Sequence, residues 1–282
     1  MAAVRALYME VALEPKPGLV SFRDTGSHRD MHAGTFVRSL FSLRHYFCAI
    51  AQAGADRAGF ERLESLGKRA EAGMLAATGG INTHRGAIFC LGLLCAGAGR
   101  CATLAPSIDA AGLRSVLRGT WGPALRERAD HSRASQPHSH GQHAARRHGL
   151  RSASEEAAAA FPVLFDVTWP TLQQALAQGM AQRSACVQAL FATMAVLDDT
   201  NLVHRGGIAG LRYAQRAAHD FLAAGGVRRD DWVEHARSVH ASFVARNLSP
   251  GGAADLLGAA CWLRLLAVEQ TSVAARPVEV AA

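Results

Sequence analysis

Apolar residues along this chain recur mostly at spacings of three and four, the period of a helix with one buried face. Phe36, Leu40, Leu43, Phe47 and Ile50 make one such stripe and predict a helix over residues 31–53. Phe60, Leu63, Ala70 and Met74 make the next, and Gly79-Gly80 closes it. Asn82 or Thr83 then caps an apolar helix that runs to about Ala98. A short amphipathic helix over residues 4–14 precedes these, stopped by Pro15-Lys16-Pro17-Gly18. Further helices are expected at about 109–118, 152–160, 170–178, 181–196, 207–223, 230–246 and 251–268, with Pro170 at a helix start and Ser249-Pro250 heading the last one. Residues 131–148 break the pattern with five His and three Arg and little to bury. They read as a mobile surface segment that orders over a bound anion.

Composition sharpens this picture. The 282 residues include 56 Ala and 30 Leu against 18 Val and 5 Ile, which favours helices and disfavours sheets. With no Pro/Ser-rich linker, the expectation is an all-α, single compact multi-helix domain over residues 1–282. Six cysteines form no C-x-x-C pair, and no N-terminal signal pattern is present. The longest apolar run, Gly86 to Gly99, falls short of a membrane span. A soluble, cytoplasmic protein with no membrane partner is expected. The net charge of +7 points to anionic ligands. A nucleic-acid-binding protein would carry a Lys/Arg stripe interleaved with aromatics, and the basic segment has none, so no nucleic-acid partner is expected.

The candidate chemistry lies in turns. Carboxylates Asp30, Glu156 and Asp199 sit among glycine-rich, basic turns. Asp30 also reads as the N-cap of the 31–53 helix, Glu156 as a first-turn acid, and Asp198-Asp199 as a pair closing a helix where negative charge is unfavourable. Asp255 reads as an acid near the start of the last helix. Lys16, Arg85-Gly86, Arg205-Gly206-Gly207 and Gly251-Gly252 mark helix heads whose free N–H groups suit phosphate. Acids beside anion-binding turns suggest Mg²⁺ and polyphosphate together. The bland alternative for Arg85 and Arg205 is that each holds a local carbonyl or a nearby acid. No P-loop, G-x-S-x-G or H-E-x-x-H occurs, and Gly97-Ala98-Gly99 lacks the strand that a dinucleotide fingerprint needs.

Five segments in order resemble the triphosphoribosyl-dephospho-CoA synthase family. They are Glu10 to Val20 with Gly26 to Met31; Ile81 to Phe89; Ser139 to Gly141 with Glu155 to Ala157 and Phe161-Pro162; Asp199 to Asn201 with His204 to Gly207; and Asn247 to Leu257. His32 stands where an acid often follows, Arg85 where Lys is usual, and Ala160 where a Gly is usual. The resemblance implies an all-helical enzyme that takes ATP and 3′-dephospho-CoA, joins their riboses and releases adenine. The product would be the prosthetic-group precursor of an acyl carrier protein, of malonate decarboxylase in preference to citrate lyase. It implies Asp30, Glu156 and Asp199 as catalytic and Mg²⁺-binding acids. It also implies Lys16, His28, Arg29, Asn82, His84, Arg85, Asn201, His204, Arg205, Gly206, Gly207, Ser249, Gly251 and Gly252 as substrate and phosphate contacts. A Mg²⁺-dependent all-helical hydrolase of ADP-ribosyl or nucleotide bonds would use similar acids with water as the nucleophile.

Overall fold

The computed structural model of the chain describes residues 1–105, 107–134 and 140–274. Among these residues there are fourteen α-helices and no strand. In chain order they are α1 (Ala2–Ala12), α2 (Ala33–Ser42), α3 (Arg44–Ala55), α4 (Phe60–Thr78), α5 (Arg85–Ala102), α6 (Ala110–Thr120), α7 (Gly122–Ala134), α8 (His140–His148), α9 (Ala153–Ala158), α10 (Trp169–Ala177), α11 (Gln182–Val196), α12 (Thr200–Ala223), α13 (Trp232–Ala245) and α14 (Gly251–Ala274). A π-helical turn, Leu164–Thr168, leads into α10, with Pro170 in its first turn as expected.

Helices α5 and α14 are the spine. They pack on each other, with α3 against α5 and with α1 and α11 against α14. One hydrophobic core runs from Ala2 to Leu263. Helix α5 approaches α3 closely because Gly54 and Gly99 carry no side chain; a Cβ on either would overlap the carbonyl oxygen of Ala96 or Ala51. Both Arg85–Ala102 and Gly251–Val268 are apolar and long enough to cross a membrane, but 61% and 56% of these windows are buried inside the protein. Their hydrophobicity is that of core helices.

Four boundaries differ from the pattern reading. The 31–53 stripe is two helices, α2 and α3, meeting at Leu43. The cap of α2 is His32, not Asp30: His32 Nδ1 accepts the Gly34 N–H at 3.1 Å, and Thr35 Oγ1 accepts the His32 N–H. The helix expected from 207 begins at Thr200 and bends at Gly207 (φ 62°). The basic segment is helical where described, in α7 to Ala134 and α8 from His140, while residues 135–139, with the Ser139 of the motif, lie outside the described residues. Leu125, Ala129 and Ala145 supply narrow buried stripes there, and α8 packs on α12. Small alanine contacts give little hydrophobic period to read.

After α9, Ala160 and Phe161 both take left-handed backbone (φ 58° and 50°). A Cβ-bearing residue is strained there and glycine is not. Ala160→Gly is therefore expected to raise the unfolding free energy by about 0.5–1 kcal/mol, read as a shifted urea midpoint at unchanged slope.

Candidate active site

The heads of α5, α12 and α14 meet, and carboxylates of the protein itself occupy the junction. Asp199 caps α12, its Oδ1 accepting the Asn201 N–H at 2.9 Å. Its Oδ2 accepts the Ala253 N–H, at 3.1 Å, in the first turn of α14. The amides of Leu202 and Gly252 also favour its charged form. Burial outweighs them and holds the carboxyl above its ordinary range. Gly251 and Gly252 let α14 lie directly on Asn201 and Asp199. Asp199 thus does not close α11 at an unfavourable end, as its position after α11 suggested; two helix dipoles stabilise its charge.

One turn along α14, Asp255 turns to the head of α5. Gly86 makes the room, since a Cβ there would overlap Asp255 Oδ2, and the Ala87 N–H donates to the carboxylate. Asp255 is partly exposed as a residue, but its carboxyl is surrounded by protein and held well above its ordinary range by burial and by the charges of Glu10 and Asp199. Beside it, Lys16 is 2% exposed and donates to both the carbonyl oxygen and Oε1 of Glu10 at 2.7 Å. His84 is buried with its Nδ1 2.6 Å from Ser39 Oγ, and the Thr83 hydroxyl donates to that same Oγ. The Ser39 hydroxyl can give its proton to Nδ1 or accept one from it, and the ring tautomer follows that choice. The other ring nitrogen, Nε2, is buried and has no partner. Burial and the Lys16 charge lower the His84 pKa to about 3, so the ring is neutral.

The other side of the junction is a lock between distant loops. Arg205 donates to the carbonyl of Ser27 (2.9 Å) and to Asn247 Oδ1 (2.8 Å), and its guanidinium lies 3.0 Å from His28 Nδ1. His28 Nε2 lies 2.9 Å from Ser249 Oγ, and Ser27 Oγ donates to the Leu248 carbonyl. Burial and Arg205 hold the His28 pKa at about 4. Asp30 is exposed, 3.7 Å from His28 Nδ1. Arg29, His204 and Gly207 are exposed nearby, and Gly206 packs on Leu248. Arg85 heads α5 with its N–H on Asn82 Oδ1 (3.2 Å) and its guanidinium on Glu71. Glu156 is buried, accepting the Val163 N–H at 2.7 Å and pairing with Arg151 at 3.2 Å. The Arg151 N–H meets Asp198. Burial and the charges of Asp255 and Glu156 raise the Cys90 thiol pKa.

Residues 1–273 match the family described as CitG: ATP:dephospho-CoA triphosphoribosyl transferase. The chain belongs to this family. A protein of Acinetobacter calcoaceticus named probable 2-(5''-triphosphoribosyl)-3'-dephosphocoenzyme-A synthase is 40% identical over 258 residues, 92% of this chain and 87% of the relative. A synthase of the same name from Pectobacterium atrosepticum, without the qualifier, is 38% identical over 264 residues, 92% and 85% of the two chains. A probable synthase from Stutzerimonas stutzeri is 37% identical over 281 residues, 98% and 92%. No solved structure matches the chain.

In this triphosphoribosyl transferase, the expected site residues divide in two. Asp199, Asn201, Arg205, Gly206, Ser249, Gly251, Gly252 and His28 form one contact network, and Lys16 pairs with Glu10, whose charge reaches Asp255. Arg85 and Asn82 stand at the rim, and Asp30 and Arg29 at the opposite edge. Lys16 and Arg205 spend their donors on the protein itself and Arg85 pairs with Glu71; for the two arginines this is the local pairing set against phosphate binding. The head of α12 likewise holds Asp199 in the place expected for a substrate anion. Among the described residues, no three His, Cys, Asp or Glu side chains gather to hold a metal ion. The three expected ligands therefore do not fit as a ready-made Mg²⁺ cage: both oxygens of Asp199 and of Glu156 are already engaged. Asp255 and Glu10 are the site residues that sequence reasoning passed over. Asp255 had a sequence signal, lying inside the last of the five motifs. A separate surface groove, lined by Arg114, Arg118, Phe165 and Trp169, includes none of the motif residues.

The half-buried His28 and buried His84 have pKa values below the ordinary 6.5, so the unfolded chain takes up their protons first as pH falls. Their contribution lowers stability as pH drops from about 6.5 toward 4. The raised carboxyls of Asp199 and Asp255 act with the opposite sign, and a paired comparison isolates the imidazole. Urea midpoints between pH 7.5 and 5 are expected to fall less steeply in His84→Gln than in wild type. Parallel curves would show that His84 titrates alike in both states.

Proposed function

We propose that this enzyme transfers the triphosphoribosyl group of ATP to a ribose hydroxyl of 3′-dephospho-CoA and releases adenine. The observation that carries the reading is the meeting of the motifs. Segments spread from Glu10 to Asp255 touch one another at the heads of α5, α12 and α14. The relatives' names supply the reaction class.

The reaction exchanges an N-glycosidic bond for an O-glycosidic one, through a sugar cation-like transition state. Two polyphosphates must be held close together, so cations and amide donors are needed where they meet. The exposed Arg29, Arg85 and His204 line the rim for this, with the bend at Gly206-Gly207 offering backbone. Lys16 and Arg205 act one layer below, Arg205 by fixing His28, Ser27 and Asn247 and Lys16 by fixing Glu10. Asp199 and Glu156 hold the helix heads and the turn at Val163 in place. Mg²⁺ enters this reading as part of the ATP substrate, carried on its phosphate oxygens, with Asp30 the exposed carboxylate at the edge. The product would serve the acyl carrier protein of a malonate decarboxylase in the cytoplasm, with no nucleic acid or membrane involved. The segment Arg151-Ser-Ala-Ser-Glu-Glu156 supports that branch.

Incubation with MgATP is expected to yield free adenine only when 3′-dephospho-CoA is present. ADP or AMP as the main product, or adenine release without the acceptor, would refute the transfer and favour hydrolysis. The two arginines should also separate. Arg85→Ala is expected to weaken nucleotide binding by about 1.5–3 kcal/mol in calorimetric titration. Arg205→Ala is expected to lower folding stability by a similar amount, because it frees the Ser27 and Asn247 carbonyls. Equal effects on affinity from both would return Arg205 to the phosphates.

A further inference from the structure

We infer that Asp255 is the carboxylate that moves the proton during transfer, taking it from the attacking ribose hydroxyl and passing it to the departing adenine. This rests on the transferase reading and assigns its general base.

The assignment follows from what each neighbouring acid already holds. Asp199 accepts backbone N–H groups on both oxygens. Glu156 accepts the Val163 N–H on one oxygen and Arg151 on the other. Glu10 is paired with Lys16. Asp30 is exposed, where water competes for it. Among the described residues, Asp255 has one donor, the backbone N–H of Ala87. The missing side chain of Gly86 lets this carboxylate lie directly on the first turn of α5. At the head of the same helix, the buried His84 Nε2 has no hydrogen-bond partner. A substrate oxygen entering between α5 and α14 would satisfy His84 and reach Asp255 together. An unpaired buried polar atom is costly, so such a group points to a ligand atom or an ordered water.

The charged and titratable groups facing Asp255 include Glu10 on α1, Cys90 on α5 and Asp199 at the head of α12, with Lys16 bound to Glu10 and His84 at the head of α5. Burial and the Glu10 and Asp199 charges raise its proton affinity, which suits a base better than a solvated aspartate. The step balances as follows. The hydroxyl O–H bond breaks and its proton goes to Asp255. The oxygen's electron pair forms the bond to the anomeric carbon of the ATP ribose. The bond from that carbon to adenine breaks, and its pair stays on the base. The proton then leaves Asp255 for adenine, which departs neutral, and the carboxylate is restored.

Asp255→Asn keeps the shape and removes the base. Adenine release with both substrates is expected to fall by about 10²–10⁴-fold in kcat. Calorimetric affinities for ATP and dephospho-CoA should stay within about threefold, and Asp255→Glu should recover part of the rate. Turnover of Asp255→Asn within tenfold of wild type, or a loss explained by affinity alone, would overturn the assignment. Wild-type kcat gives a second reading that needs no variant to fold. Its acid limb should lie above the ordinary aspartate range, and a flat profile from pH 4.5 to 7 overturns the assignment. Should wild type release no adenine with both substrates present, the transferase reading itself fails, a result distinct from an active Asp255→Asn.

Discussion

The Asp199 carboxylate joins two helices that neither sequence order nor hydrophobic packing would bring head to head. Two N-terminal dipoles point at the same spot, and without a negative charge between them they would repel. The acid removes that repulsion and satisfies amides that would otherwise be buried unpaired. Everything else at the junction is positioned from it. Asn201 lies under Gly251, Ser249 meets His28, and Asp255 is carried one turn further to the head of α5.

This arrangement changes the meaning of helix heads as anion sites. The protein fills them with its own carboxylates, which leaves the exposed Arg29 and Arg85 as the cations that the proposed transfer would use. The interior becomes acid-rich, with Glu10, Asp199, Asp255 and Glu156 near one another and Lys16 and Arg151 as internal counter-charges. An acid-rich interior behind a basic rim suits a reaction in which cationic character develops on a sugar while polyphosphates stay outside.

Much of the fold was legible because alanine and leucine dominate and the stripes have helical period. The motif-bearing turns were legible as places, but not always as roles. Lys16 reads as an available cation because Glu10, its partner, precedes it on a helix whose docking cannot be seen in one dimension. Asp199 reads as an awkward helix end because its second partner, Ala253, lies 54 residues away. Asp255 reads as an acid serving its own helix, yet the amide it accepts belongs to α5. The basic helices α7 and α8 escaped notice because alanines form their buried stripe, and alanine leaves little contrast against polar neighbours. Residue chemistry is local and so can be read; the choice of partner is tertiary.

The lock around Arg205 also bears on how the molecule is made. Ser27 reaches Leu248 across 221 residues of chain, and His28 reaches Ser249 across the same distance. During synthesis the loop that begins near Gly18 cannot make its contacts with Leu248 and Ser249 until α13 and the head of α14 have emerged. Contacts of such long separation close late, after the loop entropy between them has been overcome. The helical body can collapse early, but the chemistry must wait for the final helix, and a nascent chain shorter than that would be folded in parts and inert.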